Sequence, residues 1–132
     1  MKREIPKEDG RLKYYCNEAH FWVADKLLPK DASIDSHKTL ALAEGFMSGV
    51  LVSHFGEWLI EKANHHGANL DLESITSHCL TATVAIPVGA RLIAPKYLRQ
   101  YIEENPIYSA GVVGVMGGAS GKALSTLFYL NF

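Results

Sequence analysis

The sequence predicts a mainly α, single-domain orthogonal bundle of four to five helices, and three features lead there. Apolar residues recur at three- and four-residue spacings through most of the chain. Small residues recur at every fourth position in two long stretches, as Ala41, Gly45, Gly49 and Ser53 and again as Ala110, Gly114 and Gly118. On helices such stripes are narrow grooves where another backbone can approach closely, so the two stretches are expected to pack on each other. Only residues 84–93, interrupted by Pro87 and Gly89, have the composition of a short extended segment.

The elements follow in order. Residues 1–10 are charged and contain Pro6 and Gly10, which suggests a flexible arm ahead of one helical domain over 11–132. Leu12, Tyr15, Cys16, Ala19, Trp22, Val23 and Leu27 mark the inward face of a first helix that Pro29 closes. Asp35 or Ser36 can cap the central helix, about 36–64. Its apolar set, Leu40, Ala43, Met47, Val50, Leu51, Phe55, Trp58 and Leu59, covers most of its circumference and places it inside the domain. Gly67 suits a left-handed C-terminal cap. A third helix is expected over 70–83, and a short fourth over 95–104 with Tyr97, Leu98, Tyr101 and Ile102 facing inward. The last segment, about 107–130, carries one charge, Lys122, and reads as a glycine-striped helix, with a β-hairpin across GGASGK as the alternative.

Composition bounds the function. The chain is 48% hydrophobic, and 13 basic against 14 acidic side chains leave a net charge of -1, which argues against binding nucleic acid by bulk phosphate neutralisation. Cys16 and Cys79 form no CxxC pair, so they are either one bridge or two thiols. Cys16, His20, His78 and Cys79 are candidate zinc ligands, but adjacent helical residues such as His78 and Cys79 point about 100° apart, so no metal or other cofactor is expected. GVVGVMGGASGK departs from a phosphate-binding loop, because Ala123 follows Gly121 and Lys122 where Ser or Thr is required. Glu44, inside an apolar stretch beside the small-residue groove, needs a partner and is a candidate binding residue. No catalytic residue is assigned.

GFMSGV at Gly45 to Val50, Pro87 ahead of YLRQYIEENP at Tyr97 to Pro106, and a closing helix rich in Ala and Gly resemble the small helical immunity proteins of type VI secretion amidases. That resemblance implies a non-enzymatic protein that clasps a peptidoglycan-cleaving effector, often as a dimer. Ala43 and Ala85 stand where the family's paired cysteines would be expected. The first expectation is therefore a protein-binding protein of immunity or inhibitor type. Trp58, Tyr97, Tyr101 and Tyr108 join Glu44 as candidate contact residues, and the three tyrosines form the rim of a homodimer. The compartment expected is the cytoplasm, or the periplasm if Met1 stands where a signal was removed. Two other readings are a membrane protein inserting or oligomerising through residues 107–130, a stretch long enough for roughly 30 Å of hydrocarbon, and a small enzyme.

Overall fold

The computed structural model describes residues 11–132, so the arm expected over 1–10 lies outside the described residues. Five helices and no strand make up the described chain: α1 Arg11–Leu27, α2 Ile34–His65, α3 Leu72–Ile93, α4 Pro95–Glu104 and α5 Pro106–Asn131. The last segment is a helix, not a hairpin. The extended segment expected over 84–93 is also helix: α3 runs through Pro87 to Ile93. Its packing on α5 holds together a stretch whose local sequence favours a break.

The boundaries have local causes. Ser33, rather than Asp35 or Ser36, caps α2, its hydroxyl accepting the Ser36 amide at 3.2 Å. Beyond the other end, Gly67 takes the positive φ of 100° that the turn after α2 requires. Asn64 then ties the turn, exchanging side-chain hydrogen bonds with the amide and carbonyl of Leu70 at 2.8 and 2.9 Å. Pro95 and Pro106 open α4 and α5 at the first helical turn, where a missing amide costs nothing.

The architecture is built on α2 and α5, which run side by side in the same direction. Gly45 lies against Gly111, Gly49 against Val115 and Ala119, and Glu57 against Lys122 and Thr126. α3 returns antiparallel and packs mainly on α5. α4 turns off α3 at 107°, and α1 leans across the starts of α2 and α5, where the Lys13 ammonium donates to the Asn105 side chain. Hence α1 and α4 share one end of the bundle, and the α2–α3 turn marks the other.

The polarity of the bundle reverses several expectations. Ala24, Ala41 and Ala123 are the buried apolar side chains among the described residues, alongside glycines of α2 and α5. The bulky set of α2 lies outside: Met47, Leu51, Phe55, Trp58 and Leu59 are exposed, and α2 is interior only along its small-residue groove. In α1 the inward residues are His20 and Ala24, while Leu12, Tyr15, Cys16, Trp22 and Leu27 face out. α4 buries none of its residues, so Tyr97, Tyr101 and Ile102 do not form the inward face expected of them. Backbones that touch through glycine leave no room between them for large side chains, which therefore splay outward.

Candidate functional site: the α2–α5 seam and its polar ties

The groove expected from spacing is the most extensive helix contact among the described residues, and its backbones approach through glycine. A Cβ added at Gly45 would overlap the Gly111 carbonyl, one at Gly49 the Val115 carbonyl, and those at Gly114 and Gly118 the carbonyls of Leu42 and Phe46. Ala41 is buried on the same line, whereas Ala110 is half-buried and Gly111 takes the place opposite Gly45. Gly121 meets open space, so the second row of α5 glycines fades after Gly117. Two GxxxG elements, 45–49 and 114–118, thus mate in parallel.

Every charge in the middle of this seam is tied inward. Glu44 is met from α1 at one carboxylate oxygen: the His20 imidazole, 4% exposed, holds Nδ1 at 2.9 Å from Glu44 Oε2 and Nε2 at 3.0 Å from His37 Nδ1. His20 thus bridges Glu44 and His37, and the donor in the ring–ring bond is set by the tautomers of the two imidazoles. Glu44 Oε1 and the Ser109 hydroxyl are buried without a hydrogen-bond partner. Thirteen residues on, Glu57 takes the Lys122 ammonium at 2.8 Å and the Thr126 hydroxyl, so the one charge of α5 is neutralised across the seam. Sequence spacing singled out Glu44 but gave no sign of His20 and His37 as its partners, because they arrive from another helix and from two turns earlier.

Polar side chains elsewhere on the long helices bond their own backbone. Thr81 donates to the Ser77 carbonyl at 2.8 Å, Thr83 to Cys79 at 2.7 Å, Ser48 to Glu44 at 2.8 Å, and His78 Nδ1 lies 2.6 Å from the Ser74 carbonyl. These bonds satisfy hydroxyls and imidazole without water. Cys16 and Cys79 are both exposed free thiols, not a bridge, and His20 and His78 are engaged in separate bonds. The zinc set considered from sequence is not brought together. Among the described residues no group of three or more His, Cys, Asp or Glu is placed to hold a metal.

The other candidate residues fall at the ends. Trp58 stacks on Phe55 with ring centroids 5.6 Å apart, and the Lys62 ammonium stands 5.8 Å from its ring. Tyr97 and Tyr101 lie on α4, and Tyr108 sits half-buried in the first turn of α5 at the level of α4. Two open clefts of about 250 Å³ lie at opposite ends, one along Pro95, Lys96, Arg99, Gln100 and Glu103, the other along Trp58, Glu61, Lys62 and His65. Neither touches the His20 cluster.

Taken singly, no described helix is long and apolar enough to cross a membrane; α3 and α4 reach that standard only as a pair, across their 107° bend. No protein-family model, curated protein or solved structure matches the chain.

Proposed function

We propose that this is a membrane-embedded helical protein in which α2, α3 and α5 span the bilayer and whose role is exerted by association within it, not by turnover of a substrate. The observation that carries the reading is the inverted polarity of the long helices. Between residues 40 and 60, α2 directs Glu44 and Glu57 onto partners inside and presents Leu42, Phe46, Met47, Leu51, Val52, Phe55 and Leu59 outside, with His54 the one ionisable side chain of the stretch that faces out. Ionisable groups within a bilayer face the bundle and pair with one another. In α2 and α5 an average over the helix counts inward glycines and paired charges against insertion, although lipid meets only the outward side chains; in α3 the average is lowered by exposed Glu73, His78, Thr81 and Arg91.

Three further features agree. The exposed apolar side chains of α3 reach around the whole side turned away from α5: Val84 and Ile86, at 53% and 70% exposure, flank an outward arc of about 200°. Lipid covers an arc that wide. Lengths match as well, since the 21-residue apolar stretch of α2 and the 22 residues of α3 extend about 31 and 33 Å against roughly 30 Å of hydrocarbon. Finally, all eight Trp and Tyr residues avoid the middle of the three long helices: six lie on α1, α4 and the first turn of α5, and Trp58 and Tyr129 lie toward the other end. Two aromatic levels are the mark of two water–lipid interfaces.

Fractionation of cells expressing the chain tests this. The protein is expected in the membrane pellet after alkaline carbonate washing, and to need detergent for extraction. A monodisperse protein in detergent-free buffer at micromolar concentration overturns the proposal and returns the exposed faces to a soluble partner, as the resemblance to immunity proteins implies.

A further inference from the structure

The two ends of the bundle differ sharply in Lys and Arg, although the richer end also carries Glu18, Asp25, Asp31, Asp35, Glu103 and Glu104. Lys26, Lys30, Lys38, Arg91, Lys96 and Arg99 all belong to the end formed by α1, the α1–α2 connection, the start of α2, the close of α3 and α4. The α2–α3 turn offers Lys62 and no other Lys or Arg, and Lys122 is committed to Glu57 inside the seam. These six flanking cations fall within the ~15–20 residues of a span over which Lys and Arg set its direction, and neighbouring acids weigh little in that choice.

The same end is shaped for headgroups. α4 leaves α3 at 107°, so it lies flat where α3 and α5 stand upright, with exposed Tyr97, Tyr101 and Ile102 and the Lys96–Arg99 cleft on its surface. On α1 the Lys26 ammonium sits 3.6 Å from the centroid of the exposed Trp22 ring, an amphipathic pair suited to the boundary between hydrocarbon and phosphate. Attraction to anionic lipid is worth about 1 kcal/mol per Lys or Arg near the surface and is strongest at the cytoplasmic leaflet.

We infer that the α1–α4 end is a deck that rests on the anionic headgroups of the cytoplasmic leaflet and fixes the chain with this end in the cytoplasm and the α2–α3 turn on the far side. The inference rests on the membrane reading above. Its test is thiol labelling in intact cells, in a background where Cys16→Ser and Cys79→Ser remove both native thiols. Ala68→Cys in the α2–α3 turn is expected to react with a membrane-impermeant maleimide from outside, and Asp31→Cys in the α1–α2 connection only after permeabilisation. The opposite pattern overturns the orientation while leaving the membrane reading intact; both thiols labelled only in the soluble fraction after lysis overturns both. Replacing the six flanking Lys and Arg residues with Gln is expected to randomise or invert the labelling. Unchanged labelling in that variant overturns the role given to the deck.

Discussion

Gly45, Gly49, Gly114 and Gly118 decide how close α2 and α5 come, because at each a single methyl group would collide with backbone of the other helix. Gly49→Leu and Gly114→Leu are therefore expected to cost about 1–3 kcal/mol or more through overpacking, read as a loss of thermal stability. If both variants melt like the parent, the seam does not hold the molecule together. Gly56 and Gly89, whose surroundings are open within 4 Å, provide controls that should accept Ala with little change. The ion pair below the seam makes a second expectation. Lys122→Met leaves Glu57, 14% exposed in its side chain, with only the Thr126 hydroxyl, at a cost of about 1.5–3 kcal/mol. Adding Glu57→Gln should recover much of that loss, since the pair's desolvation disappears with its attraction. A double variant no more stable than Lys122→Met alone would mean that the two charges do not act as a pair.

At the scale of elements, α1 shows how a correct helix can be read with the wrong face inward. Its three- and four-residue spacing located Arg11–Leu27 well, yet the side chains that enter the bundle are His20 and Ala24. Periodicity separates an apolar face from a polar one; it does not say which of them meets the rest of the protein. α3 illustrates the opposite problem. Pro87 and Gly89 signal a break to any local reading, and the helix persists because its line Thr76, Leu80, Thr83 and Pro87 lies at the α5 side, half-buried or better. The outward side of α3 carries the next expectation: Ile86→Arg should cost about 2.5–3.5 kcal/mol in insertion, measured as the fraction of chains that span. The same change at Ile93, close to the headgroup level, should cost much less. Equal tolerance at both positions would argue that α3 is not in hydrocarbon.

For the whole molecule the telling quantity is area. The chain exposes 10147 Å², whereas a compact monomer of 14.5 kDa exposes about 6,900 Å². Were residues 1–10 to contribute all that an extended chain of their mass exposes, about 1,700 Å², roughly 1,500 Å² would remain in excess. On the membrane reading proposed above, lipid covers this excess. In detergent, the protein is expected to keep its helix content, and on detergent removal without lipid to aggregate; sedimentation reads the outcome. A clear, non-sedimenting solution after detergent removal would count against lipid as the natural surroundings.

The sequence by itself determined the five-helix plan closely, apart from the second half of α3, together with the stripes that mate α2 with α5. Those features follow from local spacing and the absence of side chains, both of which are written in the order of residues. Tertiary structure alone decided that Glu44 meets His20, that Lys122 meets Glu57, and that the bulky faces of α1, α2 and α4 point outward. Such pairings join residues 24 and 65 positions apart. The direction of the apolar faces depends on which solvent lies outside, a choice that periodicity makes only if water is assumed.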